Sequence, residues 1–415
     1  MRQSNSLHAA LSSIGLLAWM LYILGCSGWS SWSPDGSRVL FPYFDPEAKE
    51  AGVAVFDRED ASVRVIFVES PADSPSSAVL LAQWEGDGRR ALIVKRVTND
   101  SLEVIALPVG SGRPARHFKL PGMKDDFPVP PYPELDANLY LAGDYLARLN
   151  LETGGQTVQE LTSPLASLAT HSGRLFYLGP VGVAPNNQQP ADAQEREEEK
   201  GEETQESEED EREVEVGEVN PVDLTLRPLF RIKAKELQDP GVEDWPRPMA
   251  FDPTGARLAL IGRREAKDVL ILCTLAGVER ILTPDFPLEE FHLGNAQWSP
   301  DGKTIYVSVL APAAGESMMQ YYVGEIPLAG GPSRLTPVVP VGEKALRNGT
   351  MLQLQVSLSP DGATLATTTA YLGKEGLGAD ARALYLVDVR DPARPVKRIP
   401  APLKPPPPEP VEAKE

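Results

Sequence analysis

Cysteine is nearly absent from this sequence of 415 residues, which contains Cys26 and Cys273 and no other thiol. Two cysteines cannot form the disulfide framework of a small secreted domain, and they cannot supply the ligands of a four-thiolate zinc site. Cys273 lies within the apolar run 268–277, "DVLILCTLAG". We therefore expect Cys273 to be a buried free thiol.

Residues typical of catalysis and nucleic-acid binding are also scarce. The four histidines include no pair at metal-ligand spacing. The sequence lacks a Gly-x-Ser-x-Gly elbow, a Walker loop and a dinucleotide-binding fingerprint. Its net charge of −19 leaves no basic footprint for nucleic acid. These absences predict a protein that is not an enzyme, with no cofactor, no metal site, no catalytic residues and no nucleic-acid partner.

The N-terminus, in contrast, carries a strong signal. Arg2 precedes an apolar run that is strongest over Ile14–Leu24, and Gly25 and Cys26 follow it. A short basic region, an apolar core and a small residue before a cleavage point are typical of a secretory signal. Residues 1–25 are therefore predicted to direct the rest of the chain out of the cytoplasm.

The segment Ile23–Cys26 resembles the lipid-attachment signal of bacterial lipoproteins. The family usually has Leu where Ile23 stands and a smaller residue where Leu24 stands. The resemblance implies cleavage before Cys26, lipidation of Cys26 and anchoring to a membrane, since several acyl chains together bind stably. The alternatives are an uncleaved membrane helix over Leu7–Leu24, which is just long enough to span, and a cleaved signal without lipid.

The body of the chain repeats one pattern, a tight turn followed by an alternating strand. The clearest copies begin at Trp32, Phe251, Trp298 and Leu358, and a weaker copy begins at Trp84. Proline presets φ in such a turn, and the following glycine accepts a positive φ. The predicted turn residues are Pro34, Asp35, Gly36, Asp87, Gly88, Pro253, Gly255, Pro300, Asp301, Gly302, Pro360, Asp361 and Gly362.

The aspartates of these turns also invite a catalytic interpretation. A turn needs Asp-Gly in every copy, whereas a reaction needs its carboxylates only once. We therefore interpret Asp35, Asp301 and Asp361 as structural.

Two weaker units complete the series. One covers 136–162, and the other covers 171–180 with a partner strand predicted at 223–232. The spacing between units is that of propeller blades once an acidic insertion is set aside. The sequence thus predicts an all-β protein, a β-propeller of seven four-stranded antiparallel blades, with six blades as the alternative.

The Ser-Pro-Asp-Gly turns resemble the WD-like repeat of the TolB β-propeller family, over roughly Trp29–Pro400. The resemblance implies the propeller fold and says little about activity. TolB has a separate α/β domain before its propeller, whereas here the first repeat follows Cys26 directly. The partners of TolB are therefore not carried over.

Two segments stand apart by composition. Positions 192–218 hold fifteen acidic and three basic residues, which is twelve of the nineteen net negative charges. We predict a disordered acidic insertion over 187–219 within one blade, inside a propeller domain of residues 26–400. Residues 401–415 form a proline-rich, charged tail, predicted to be extended.

These features predict a lipid-anchored β-propeller of the bacterial cell envelope that acts as a non-enzymatic interaction or scaffold module. Its expected partners are the membrane, through Cys26, and an envelope protein or a cell-wall component. The alternative is a propeller enzyme or a carbohydrate-binding protein with a site in the central channel. His292 could face that channel together with Glu289 and Glu290.

Overall fold

The computed structural model describes residues 30–45, 50–69, 78–98, 101–110, 114–121, 133–143, 145–185, 213–233, 249–264, 267–312, 319–341, 355–368, 372–373, 376–377 and 383–400. Within these ranges the chain forms thirty β-strands and no helix. The predicted signal, Cys26, the tail 401–415 and positions 187–212 of the acidic run lie outside the described residues.

Seven four-stranded antiparallel sheets form the blades of a β-propeller, which confirms the predicted fold and blade number. Each blade is a meander of strands that are consecutive within the blade. Blade 1 is β1 (Ser31–Trp32), β2 (Arg38–Asp45), β3 (Glu50–Asp57) and β4 (Val63–Glu69); blade 2 is β5 (Ala78–Trp84), β6 (Arg90–Thr98), β7 (Ser101–Pro108) and β8 (Arg116–Pro121); blade 3 is β9 (Glu134–Leu135), β10 (Asn138–Ala142), β11 (Tyr145–Asn150) and β12 (Gln156–Glu160).

The remaining strands follow the same order. Blade 4 is β13 (Ser167–His171), β14 (Arg174–Pro180), β15 (Glu213–Val219) and β16 (Leu226–Lys233); blade 5 is β17 (Ala250–Phe251), β18 (Arg257–Arg264), β19 (Lys267–Thr274) and β20 (Gly277–Leu282); blade 6 is β21 (His292–Trp298), β22 (Thr304–Pro312), β23 (Met319–Pro327) and β24 (Arg334–Val341); blade 7 is β25 (Gln355–Leu358), β26 (Thr364–Thr368), β29 (Ala383–Asp388) and β30 (Val396–Pro400). A small hairpin of β27 (Leu372–Gly373) and β28 (Gly376–Leu377) is inserted in blade 7.

The first strand of each blade lies on the inside of the ring. Strands β13, β17, β21, β25, β1 and β5 contact one another in that order around the centre. Because the strands alternate in direction, all connections from a first to a second strand and from a third to a fourth strand open on one face. The remaining connections open on the opposite face.

The two faces differ in the length of their connections. Strand β1 joins β2 through 33–37 and β9 joins β10 through 136–137, and we call this side the short-loop face. On the other side β14 joins β15 through 181–212, β24 joins β25 through 342–354, and β26 joins β29 through 369–382. We call this second side the long-loop face.

Apolar packing holds neighbouring blades together. Each of the seven junctions between blades has its own cluster of buried apolar side chains contributed by both blades. Cys273 is fully buried within the cluster of blades 4 and 5. Burial of this kind is the main favourable term in the stability of the ring.

The ring closes between blade 7 and blade 1 without a shared strand. The Trp32 indole donates to the Ser357 carbonyl at 2.9 Å, and the Ser30 hydroxyl donates to the Ala366 carbonyl at 3.1 Å. Side-chain packing and a few hydrogen bonds therefore replace the covalent link that connects every other pair of neighbouring blades.

One predicted boundary was wrong. The acidic insertion was expected to extend to position 219, but Glu213–Val219 forms β15, the third strand of blade 4. This strand pairs with β14 through Val214, Val216 and Val219, which are buried. The strand predicted at 223–232 pairs with β15 rather than with β14 and starts at Leu226. Burial of alternate valines outweighs the charge of the intervening glutamates.

Candidate functional site

The predicted turns lie on the short-loop face, and their aspartates hold the turns together. In blade 1 the Ser33 hydroxyl donates to Asp35 Oδ1 at 2.6 Å, and the Ser37 amide donates to the same oxygen at 3.0 Å. The Ser33 hydroxyl, followed by the amide and hydroxyl of Ser37, lowers the pKa of Asp35 to about 2. A carboxylate that accepts these hydrogen bonds stabilises the turn and is too weak a base to take part in proton transfer.

The same arrangement recurs in two other blades. In blade 6 the Ser299 hydroxyl donates to Asp301 at 2.6 Å, and in blade 7 the Ser359 hydroxyl donates to Asp361 at 2.5 Å. These serine hydroxyls are the largest cause of the lowered pKa of both aspartates. The repetition gives the three aspartates one local role.

Blade 5 builds its turn with the two side chains exchanged. Asp252 stands at the serine position and Thr254 at the aspartate position, and the Thr254 hydroxyl donates to Asp252 Oδ1 at 3.0 Å. Asp252 is 3% exposed and pairs with Arg257 at 3.3 Å. Burial raises the pKa of Asp252, but the Arg257 amide, the Thr254 hydroxyl and the Arg257 guanidinium lower it by more.

Four of the five predicted turn glycines lie beside a proline of the preceding blade. A β-carbon added at Gly362 would lie 2.6 Å from Cγ of Pro300, and one at Gly88 would lie 2.9 Å from Cδ of Pro34. Both glycines also have a positive φ, +66° at Gly362 and +68° at Gly88. Glycine is therefore required twice at these positions, by the backbone conformation and by the neighbouring blade.

Two other turns bring a proline and a glycine of neighbouring blades together, at distances that leave an added β-carbon in ordinary van der Waals contact. The corresponding pairs are Pro253 with Gly302 at 3.8 Å and Pro360 with Gly36 at 3.4 Å, both measured to the added β-carbon. The pair of Pro360 and Gly36 lies across the closure between blades 7 and 1. These contacts connect turns that the sequence predicts only as separate local features.

Where the proline is missing, another group takes its place. Blade 2 has Gly86 instead of proline, and the Gly86 amide donates to Glu134 Oε2 of blade 3 at 2.9 Å. In the same turn Asp87 Oδ1 accepts from the Arg89 amide at 2.8 Å. Blade 4 places His171 against Gly255 of blade 5, and the His171 ring stacks on Phe251 at 5.6 Å.

Arginine side chains add a second contact between neighbouring blades. The Arg38 guanidinium lies 4.5 Å from the ring centre of Trp84 and donates to the Gly88 carbonyl at 3.0 Å. Arg257 makes the same pair of contacts with blade 6, at 4.9 Å from Trp298 and 3.1 Å from the Gly302 carbonyl. The sequence analysis missed this role. Its signal is an arginine six residues after the aromatic that opens the repeat.

Blade 4 holds a buried carboxylate beside the end of the acidic run. Glu215 is 1% exposed, and its Oε1 accepts from the Tyr177 hydroxyl at 2.6 Å. The Arg231 guanidinium lies 3.6 Å from Glu215 Oε2. Burial, followed by the hydrogen bond to Glu215, raises the pKa of Tyr177. This group fixes β15 to its neighbours on both sides.

His292 begins β21 at the long-loop face, with half of its side chain exposed. Its Nδ1 lies 3.9 Å from Oδ2 of Asp268, and that oxygen accepts from the Leu293 amide at 2.6 Å. The neighbours expected for it, Glu289 and Glu290, are exposed. Among the residues that the structure describes, no group of three or more His, Cys, Asp or Glu side chains could hold a metal ion.

The described ranges contain no helix with the length and hydropathy needed to cross a membrane. Cys26 lies outside them, so its lipidation stays a prediction.

Comparison with known proteins identifies similar structures but no family. No protein-family model matches the chain, and no curated protein matches its sequence. A crystal structure of a protein from Lactobacillus plantarum is 13% identical with a TM-score of 0.51, over 88% of this chain and 97% of that one. A complex of KlAtg21 with the coiled-coil of AgAtg16 is 7% identical with a TM-score of 0.50, over 91% and 100%.

Kluyveromyces lactis Hsv2 is 10% identical with a TM-score of 0.47, over 90% of this chain and 98% of its own. Identities this low show similarity of fold alone. The seven four-stranded sheets of the chain show that it is a seven-bladed β-propeller.

Proposed function

We propose that the chain is a lipid-anchored β-propeller of a bacterial cell envelope and that it acts there as a non-enzymatic interaction module. The observation that carries the proposal is the closed ring of seven blades with two broad faces built from loops. A rigid frame of this kind holds loops in fixed positions, and loops on such frames commonly bind other molecules.

The turns support a structural use of the repeated motif. Their aspartates, prolines and glycines are engaged within turns and between blades, as in the contact of Gly362 with Pro300. The Ser-Pro-Asp-Gly copies of blades 1, 6 and 7 make us propose a relation to TolB-like propellers. KlAtg21, whose structure contains a bound coiled coil, is an example of a similar fold that binds a protein.

The anchor is supported by the sequence of the N-terminus. The segment Ile23–Cys26 has the pattern of a lipid-attachment site, and an apolar run precedes it. The first described residue, Ser30, is four positions after Cys26, so an acylated Cys26 would hold the propeller close to its membrane.

The anchor is tested by expressing the full chain and its Cys26→Ala variant in a bacterium supplied with labelled palmitate. We expect the parent protein to carry label and to sediment with membranes, and the variant to be unlabelled. Cys273→Ala is the matched control, because Cys273 is buried in the core and its loss leaves the attachment site intact. A Cys26→Ala variant that takes up as much label as the parent contradicts the anchor.

The interaction role is tested by chemical crosslinking in intact cells, followed by mass spectrometry of the purified protein. We expect crosslinks to a particular envelope component that reappear when that component is purified instead. Crosslinks of the Cys26→Ala variant show which of them depend on the anchor. A parent protein that gives no reproducible crosslink contradicts the scaffold function.

A further inference from the structure

The chain enters the propeller on the long-loop face. Strand β1 leads into the turn 33–37 on the short-loop face, so its other end, at Ser30 and Ser31, lies on the opposite side. The chain leaves on the same side, because β30 follows the short-loop connection 389–395 and ends at Pro400. Both ends of the described chain are thus on the long-loop face.

The entry point is also close to the axis of the ring. Strand β1 is the first strand of blade 1 and lies beside β5 and β25, the first strands of the two neighbouring blades. Its partners across the ring closure, Ser357 and Ala366, belong to the two inner strands of blade 7. An anchor attached here would hold the long-loop face by its middle and not by its rim.

The short distance from Cys26 to Ser30 limits the possible orientations. The four steps along the chain from Cys26 to Ser30 span at most about 14 Å when fully extended. Strand β2 has eight residues, about 26 Å at the usual rise, so the short-loop face is beyond this reach. If the propeller stood edge-on, on the rim of blade 1, β1 would lie three strand spacings above the membrane, about 14 Å before the outer side chains are counted. Only a face-on position fits comfortably.

We propose that the long-loop face lies against a lipid bilayer and that the short-loop face points into the aqueous compartment. This inference rests on the proposed lipidation of Cys26. The acidic run determines which kind of lipid surface is expected. It belongs to the connection between Pro180 and Glu213, and both of these strand ends are on the long-loop face. An anionic bilayer would repel that charge, so the occupant that fits best is a zwitterionic lipid surface.

The short-loop face is then the broad surface that stays open to a soluble partner. Its turns are short and internally bonded, and their contacts with the next blade hold them in place. A partner that binds there meets a preformed surface with little ordering cost.

The orientation can be read from the reactivity of native lysines. Lys267 begins β19 and Lys233 ends β16, both exposed on the long-loop face, whereas Lys303 lies in a short-loop turn with 77% of its side chain exposed. The natural lipoprotein is reconstituted in phosphatidylcholine vesicles and treated with a membrane-impermeant amine reagent. Mass spectrometry then compares each lysine with the same lysine in the soluble signal-free chain.

We expect labelling of Lys267 and Lys233 to fall several-fold on the vesicles and labelling of Lys303 to stay within error of the soluble chain. The orientation is overturned if each of the three lysines is as reactive on the vesicles as in the soluble chain, or if Lys303 alone is protected. A second arm couples Cys26 of the signal-free chain to a maleimide-bearing lipid, which tests the orientation even if the natural chain is not acylated. Absence of natural acylation contradicts the proposed function, while unprotected Lys267 and Lys233 in the coupled protein contradict this inference.

Discussion

The contact between a turn glycine and the proline of the preceding blade gives a quantitative prediction. Replacing Gly362 by alanine places a β-carbon 2.6 Å from Cγ and 2.7 Å from Cδ of Pro300. Alanine at a φ of +66° costs about 1–2 kcal/mol, offset by about 0.4–1 kcal/mol of lost freedom in the unfolded chain. The steric overlap adds about 1–3 kcal/mol. We therefore expect Gly362→Ala to lower the free energy of unfolding by about 2–4 kcal/mol.

Gly173 is the matched control for this substitution. It occupies the corresponding turn of blade 4 with a φ of +73°, and no atom lies within 4 Å of an added β-carbon. Gly173→Ala should therefore lose only the conformational part, about 1 kcal/mol. The difference between the two variants isolates the contact between blades 6 and 7.

Urea unfolding followed by tryptophan fluorescence measures both losses on the signal-free chain. The double variant with Pro300→Ala should recover part of the loss of Gly362→Ala, giving a coupling energy of about 1–2 kcal/mol. Equal losses for Gly173→Ala and Gly362→Ala, with no coupling to Pro300, would refute the argument that the neighbouring blade requires glycine here.

Three further predictions follow from the contacts between and within blades. Arg38→Ala should lower the free energy of unfolding by about 1–2 kcal/mol in urea, since it removes a stacked guanidinium and a charged hydrogen bond, whereas the exposed Arg89→Ala should change it by less than about 0.5 kcal/mol. The pKa of Asp35 is lowered from 3.8 to about 2 on folding, so its contribution to stability is complete above pH 3.8 and is lost as the pH falls towards 2. In thermal melts between pH 5 and 2, acid should therefore lower the melting temperature less in Asp35→Asn than in the parent protein. The same dependence of melting temperature on pH in both proteins would contradict this. Tyr177→Phe should cost about 1–3 kcal/mol because it leaves the buried Glu215 carboxylate without its hydroxyl donor, and Glu215→Gln in the same chain should restore part of that loss, a rescue whose absence would count against the assigned bond.

The sequence predicts the blades well where each blade has its own turn signal. Copies at Trp32, Trp298 and Leu358 contain proline, aspartate and glycine in order, and each becomes the corner between the first two strands of a blade. The weak unit of blade 3 is found through alternation of its strands, although its turn places Asp136 and Ala137 at positive φ, 51° and 58°. Local chemistry and period-two alternation are both visible within a few residues of chain.

Strand β15 shows where composition misleads. Its alternation of Glu213, Val214, Glu215 and Val216 is a strand pattern, but it continues an acidic run in which charge suggests disorder. The structure buries the valines and also Glu215, and the hydrogen bond from the Tyr177 hydroxyl compensates the carboxylate for its lost hydration. Such compensation depends on a partner 38 residues away in the chain, which composition alone does not reveal.

The contacts between blades are the part that sequence reasoning could not reach. Arg38 donates to the Gly88 carbonyl, 50 residues later in the chain, and Pro300 packs against Gly362 of the next blade. The spacing from aromatic to arginine marks the position of Arg38 in its repeat, but it does not identify the partner, because the angle between blades decides which side chains meet. His292, which the alternative function grouped with Glu289 and Glu290, likewise lies beside Asp268 of a neighbouring blade.

The closure of the ring without a shared strand has a consequence for how the protein folds. Every blade is made of strands that follow one another in the chain, so each can form as soon as it has been synthesised. The contacts between blades 7 and 1 are different, since Trp32 must wait for Ser357, 325 residues later. Even in a flexible chain, closing this loop costs only about 1.7 kcal/mol more than closing one of about 50 residues. We therefore expect assembly in chain order, with ring closure as a late and inexpensive step, and with the Trp32 indole exposed to solvent until blade 7 has formed.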